Sequence, residues 1–122
     1  NTKVLGVLVL GDDSVLPELY RRGVHHAFIG LGGTGDTGPR RQLYERAQRE
    51  GFLPVEAIHP QAVISSSAQL GMGPTVMAGA VINAAANLGD NVIVNTGAIV
   101  EHDCVIGDHV VGGLNLAKRS VG

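Results

Sequence analysis

Tryptophan is absent from the 122-residue chain, cysteine occurs once, and aromatic residues make up only 3% of it. A packed helical domain normally carries more ring surface in its core, so a tightly wound fold with small corners fits better. The single cysteine, Cys104, excludes an intrachain disulfide and gives no reason to expect an oxidising compartment, which makes the cytoplasm the expected location. Long apolar runs are missing too. VLGVLVLG (4–11) is too short to span a bilayer and lacks the basic flank and cleavage site of a secretory leader, so a soluble protein with no membrane partner is expected. Nor is there an excess of positive charge: at a net charge of −2, nucleic acid has no electrostatic reason to bind.

What the chain does have is glycine, 18 residues of it, and a hydrophobic content of 44%, enough for a folded core. Its two halves follow different rhythms. In residues 1–57, Val7–Leu10 is a short apolar run ended by Gly11, and Asp12, Asp13 and Ser14 can cap a helix reaching Arg22 and stopping at Gly23. Val24–Gly30 then reads as a second strand and Pro39–Glu50 as a second helix closed by Gly51. Leu43, Tyr44 and Ala47 give that helix an apolar stripe. Arg40, Arg41, Arg46 and Arg49 read as its solvated face, with Arg40 or Arg41 close enough to the helix N-terminus to meet a phosphate. The β-α-β-α order predicts a parallel sheet, an α/β lobe of Rossmann-like type.

From residue 62 the period becomes six. Aliphatics recur at Ile64, Leu70, Val76, Ile82, Leu88, Val94, Val100 and Ile106, and two places before each stands Ala62, Ala68, Pro74, Ala80, Ala86, Val92, Ala98 or Cys104. Neither a helix nor an ordinary strand has this period. A parallel β-helix does: each flat face takes one hexapeptide, the aliphatic points into the prism and the small residue lets the chain turn. The series predicts between two and three coils over 58–111. At 112 an aliphatic is due and glycine stands there, so residues 112–122 are expected to be an irregular tail or an interrupted repeat.

The stretches IHPQAVIS (58–65) and AGAVINAAANLGDNVIVNTGAIVEHDCVIGDHV (78–110), and more loosely VLGVLVLGDD (4–13) with RRQLYERAQREGF (40–52), resemble one family. It is that of the left-handed β-helix sugar acyltransferases related to sialic acid O-acetyltransferases and bacterial UDP-amino-sugar N-acetyltransferases. The resemblance implies a homotrimer in which a Rossmann-like lobe binds the nucleotide sugar and a left-handed β-helix binds acetyl-CoA between neighbouring subunits. Set against that layout, the resemblance leads to the expectation of an incomplete lobe, without the opening strand and its glycine-rich nucleotide loop, and of a truncated β-helix. The implied activity is transfer of acetyl from acetyl-CoA to an amino or hydroxyl group of a nucleotide-linked or free sugar.

The same resemblance assigns roles. His102, two places beyond the inward Val100 and so outside the prism, is the family's general base, a role an imidazole titrating near neutral pH can fill. Asp103 is expected to orient or support it, and Asn95 matches an asparagine near the acceptor sugar, although asparagine also suits corners with unusual backbone angles. GLGGTG (30–35) satisfies G-x-G-x-x-G between a predicted strand and helix, but no acidic residue stands where a ribose needs one, so NAD is not expected. Gly32 and Gly33 of this loop are instead expected near the acceptor. Cys104 occupies an inward small-residue position, which makes it a core residue and not a nucleophile. His102, Asp103 and His109 could all ligate zinc, but consecutive strand residues point in opposite directions, so no metal site is expected. A noncatalytic sugar-binding or assembly module of the same fold is the main rival, and a carbonic-anhydrase-like metal-binding β-helix the weaker one.

Overall fold

The structure, a computed structural model, describes residues 2–33 and 36–112, with the backbone of short strands at 115–116 and 120–121. From residue 57 the chain winds as a three-faced parallel β-solenoid built from three four-stranded sheets. One face stacks β5 (Ala57–Ile58), β8 (Thr75–Val76), β11 (Ile93–Val94) and β14 (Val111–Gly112). The next stacks β6 (Val63–Ile64), β9 (Val81–Ile82), β12 (Ile99–Val100) and β15 (Asn115–Leu116). The third stacks β7 (Gln69–Leu70), β10 (Asn87–Leu88), β13 (Val105–Ile106) and β16 (Ser120–Val121).

The hexapeptide arithmetic predicts the interior. Val76, Ile82, Leu88, Val94, Val100 and Ile106 are each at most 2% exposed, and the small positions Ala80, Ala86, Val92, Ala98 and Cys104 are fully buried. Corners repeat with the same period. Gly73, Gly79, Ala85, Asn91, Gly97, Asp103 and His109 all adopt positive φ, between 58° and 71°. Glycine serves this conformation without strain and Asn or Asp with little, which is why the period tolerates so few other residues there.

The solenoid is longer than the count of eight repeats predicts. Ala57–Ile58 already pairs with Thr75–Val76, and Gly112 pairs with Val94, filling the rung with backbone where an aliphatic is missing. Beyond that point the ladders continue, but the registers Val100↔Leu116 and Ile106↔Val121 fall short of a full coil.

The N-terminal part is simpler than the expected α/β sheet. Thr2–Val4 (β1) and Val7–Val9 (β2) form an antiparallel hairpin whose apolar side chains are exposed, so the first apolar run does not join a parallel sheet. A single 3-10 turn, Asp13–Val15, leads into α1 (Leu16–Arg21), with the Asp12 carboxylate accepting the Ser14 N–H at 2.9 Å as a cap. One βαβ unit remains: β3 (His26–Ala27), α2 (Gly38–Arg49) and β4 (Leu53–Pro54), the two strands pairing in parallel. His25 and His26 are both exposed, and His25 lies against the Tyr20 ring at 4.6 Å.

The apolar stripe of α2 is where the two parts meet. Tyr44 and Ala47 are buried with Ile29 and Phe52, and the Tyr44 ring meets His109 of a solenoid corner edge-on at 5.4 Å. Burial, with Asp90 and Asp108 nearby, raises the Tyr44 hydroxyl above its ordinary pKa. At Gly73 (φ +66°) an added Cβ would stand 2.9 Å from Pro54 Cβ, so the close seating of lobe on solenoid depends on that glycine.

Candidate active site

A cleft of about 410 Å³ opens between residues 28–33 and the β8–β11–β14 face. Gly32, Gly33 and Asn95, the three residues expected near an acceptor, all line it. At Gly33 an added Cβ would lie 3.3 Å from Thr37 Cγ2 and in ordinary contact with Val111 at 3.5 Å, whereas a Cβ on Gly32 would meet nothing within 4 Å. Asn95 is exposed and its backbone is not left-handed; Gly97 takes the positive φ of that turn. Corner geometry therefore does not account for an asparagine at 95.

Arg40 corrects the reading of the α2 arginines as a solvated face. It is only 1% exposed, and its Nη1 donates to the carbonyls of Ile29 at 2.9 Å and Leu31 at 2.7 Å. Desolvation pulls its guanidinium below the ordinary arginine pKa. The buried arginine is the back wall of the cleft, a role that no periodicity in the sequence signals.

His102 and Asp103 do not line this cleft. Asn95 follows β11 on the cleft face, whereas His102 follows β12 on the next, so a single chain does not bring the two together. The pair itself is well formed. His102 Nδ1 lies 2.9 Å from Asp103 Oδ2, correcting the expectation that neighbouring side chains must diverge. That rule holds for strands, and Asp103 sits at a corner with φ +60°, which folds its carboxylate back alongside the imidazole. A carboxylate only accepts, so Nδ1–H is the donor of this pair and Nε2 is the ring nitrogen that the pair leaves unengaged. Both side chains are more than half exposed, at 52% and 63%. Among the described residues no three His, Cys, Asp or Glu side chains gather as a metal site, and no helix is long and apolar enough to cross a membrane.

Cys104 follows directly but is buried in the solenoid core. A thiol reagent should therefore leave the native protein unlabelled and label it fully in denaturant. Rapid labelling of the native thiol would show that the residue is not a core group.

No protein-family model matches this sequence, and no curated protein matches it. Solved structures do. PerB from Caulobacter crescentus, in complex with CoA and GDP-perosamine, superposes with a TM-score of 0.82 at 47% identity, over 88% of this chain and 51% of that one. A histidine-to-asparagine mutant of the perosamine N-acetyltransferase from the same organism, again with CoA and GDP-perosamine, matches at 30% identity and a TM-score of 0.63, over 98% of this chain and 75% of that one. The chain belongs to the hexapeptide-repeat sugar acetyltransferase family. Another family member, the acetyltransferase domain of PglB from Neisseria gonorrhoeae FA1090, matches at 38% identity and a TM-score of 0.75, over 89% of this chain and 52% of that one. The same domain has also been solved with acetyl coenzyme A. The chain thus spans about half the length of PerB and of the PglB domain.

Proposed function

We propose that this chain is the acceptor-binding and proton-transfer part of an acetyltransferase that moves acetyl from acetyl-CoA to a nucleotide-linked amino sugar. The His102–Asp103 pair, on a solenoid of this family, is the observation that carries the reading. An N-acetyl product is favoured over an O-acetyl one because the similar structures are N-acetyltransferases. In this reading the lobe over 1–57 holds the sugar nucleotide and the left-handed solenoid from 58 onward holds the coenzyme.

In the reaction the neutral acceptor amine attacks the thioester carbonyl while His102 Nε2 takes its proton. Asp103 accepts the Nδ1–H and stabilises the imidazolium that forms. The tetrahedral intermediate collapses with cleavage of the C–S bond, and the departing thiolate recovers the proton from His102. No acyl-enzyme is needed, since the only thiol is buried.

Because His102 and Asn95 occupy different corners, the reading places a complete site between copies, as in a homotrimer. An outward ladder supports this: Val63, Val81 and Ile99 stand in register on the β6–β9–β12 face, which ends at the His102 corner. Ile99→Asp should shift the protein to monomer in sedimentation and abolish turnover; a trimer of unchanged stability would remove the self-association reading. The activity is tested by thiol release from acetyl-CoA, in the cytoplasm-like conditions expected for the enzyme, with GDP- and UDP-linked 4-amino sugars and their hydroxyl counterparts. Release dependent on the amino sugar is expected. Saturable sugar binding without thiol release would support the noncatalytic module instead.

A further inference from the structure

Among the contacts that seat the lobe on the solenoid, one involves an imidazole, a group able to titrate near neutral pH. His109, at the corner that leads into β14, is half-buried, with its Nδ1 2.9 Å from Asn91 Nδ2 and its ring edge-on to Tyr44 of α2. An amide nitrogen only donates, so this contact is a hydrogen bond only while Nδ1 carries no proton. Asn91 is fully buried and its Oδ1 has no hydrogen-bond partner; the Tyr44 hydroxyl, also buried, has none either. Turning the amide over would offer Oδ1 to a protonated Nδ1 but would leave an N–H of Nδ2 buried without a partner, and orphaned donors are tolerated less well than orphaned carbonyls. The seat therefore fits a neutral imidazole best.

The surrounding charge does not reverse this preference. The helix α2 brings Tyr44 and, one turn earlier, Arg40, a buried cation directed at the Ile29 and Leu31 carbonyls. The loop before α2 brings Asp36, whose exposed carboxylate accepts the Gly38 N–H at 2.9 Å. The solenoid brings Asp90 and Asp108, which already accept the Met72 and Asp90 N–H groups at 2.8 Å and 2.7 Å. Carboxylates beside water attract a cation weakly, whereas enclosing a charge without a close partner is costly.

We propose that His109 is a positioning residue, which seats the lobe firmly on the solenoid while neutral and loosens that seat when protonated. Both walls of the cleft connect to it: Tyr44 lies on the helix that follows the 28–33 wall, and Val111, two residues beyond His109, lines the opposite side. The seat is complete at high pH and is lost as pH falls through the range, roughly pH 8 to 5, in which imidazoles titrate. The inference rests on the acceptor reading above for its effect on turnover, and on the junction alone for the titration.

The full chain is titrated by NMR, with the His109 signal assigned by its loss in His109→Asn and the Tyr44 ring followed as the report from the lobe. Asparagine tolerates the left-handed backbone at 109 (φ +64°) and does not titrate, and aspartate tolerates it at 91 (φ +58°). In wild-type protein the Tyr44 ring should shift with the same midpoint as His109, and in His109→Asn it should stop responding to pH. In Asn91→Asp a carboxylate replaces the opposing amide, so the His109 midpoint should rise by about one pH unit, a tenfold gain in proton affinity. Acceptor KM, measured with acetyl-CoA saturating, should rise on acidification about fivefold more in wild-type protein than in His109→Asn, the worth of one hydrogen bond. Protonation of the acceptor amine and of His102 is common to both proteins, so their difference isolates His109. Thermal unfolding at the alkaline end checks that both variants fold; where one does not, the wild-type Tyr44 titration decides. A Tyr44 ring indifferent to the His109 titration, an unmoved midpoint in Asn91→Asp, or equal KM profiles in wild-type protein and His109→Asn overturns the inference. Coupled titration without any acetylation of nucleotide sugars leaves the junction as described and removes the acceptor reading; acetylation with an uncoupled junction gives the reverse.

Discussion

His102→Ala is expected to lower kcat for acetyl transfer by about 10²–10⁴-fold, the range that a positioned general base contributes, with no change in thermal unfolding. The second half of that expectation follows from the structure. The imidazole is half exposed, takes no part in the core, and its one described side-chain partner is Asp103 at 2.9 Å. Removing it leaves no cavity and orphans no buried group. Asp103→Asn should have a smaller effect, because asparagine tolerates the same left-handed backbone and its carbonyl can still accept the Nδ1–H, while the negative charge that steadies the imidazolium is gone. Steady-state kinetics with acetyl-CoA in excess decides the matter: an unchanged kcat in His102→Ala would assign the proton to another group.

The largest effect on stability is expected from Leu88→Ala. Leu88 is 2% exposed and stacks between Leu70 and Ile106 on the third face, so truncation removes buried contacts from two interfaces at once. Core truncations of this type cost about 2–5 kcal/mol, depending on how far the site can collapse. A solenoid has little freedom to collapse, because each coil is fixed by backbone ladders above and below. A melting temperature lower by on the order of 10 °C is therefore expected by calorimetry. Leu8→Ala is the control: that side chain is 42% exposed on the hairpin and should shift melting little. Equal effects from the two substitutions would contradict the placement of the core.

The solenoid was legible because its interior is written one residue at a time. Each inward aliphatic from Val76 to Ile106 is predicted by its number alone, and Cys104 is read as a core residue by the same rule. The ends were less legible. Ile58 keeps the period, but Glu56 stands where a small residue is expected, and Gly112 carries no side chain to mark a rung that the backbone nevertheless forms. The lobe was read with the right helices and the wrong sheet, since a three-residue apolar strand has no preference for parallel over antiparallel partners, and Val7–Val9 pairs with its nearest neighbour in sequence.

The site divides in the same way. Gly32, Gly33 and Asn95 line one cleft, and His102 meets Asp103, although the strand rule argued against such proximity. The positive φ at 103 belongs to the six-residue corner series running from Gly73 to His109, whose seven positions carry five residue types and so show no single signature in the sequence. The burial of Arg40 was not legible, although its place near the helix N-terminus was. One arginine among four on a helix announces nothing, and only the inward turn of the Ile29 and Leu31 carbonyls distinguishes it.

The central claim is direct acetyl transfer to a sugar amine by a protein that is never itself acylated. It is tested most directly by mixing the protein with acetyl-CoA and a nucleotide-linked 4-amino sugar for a single turnover and measuring the masses of protein and sugar together. The account predicts one added acetyl group on the sugar and an unchanged protein mass. An acetylated protein, or a sugar left unmodified as CoA is released, would contradict it.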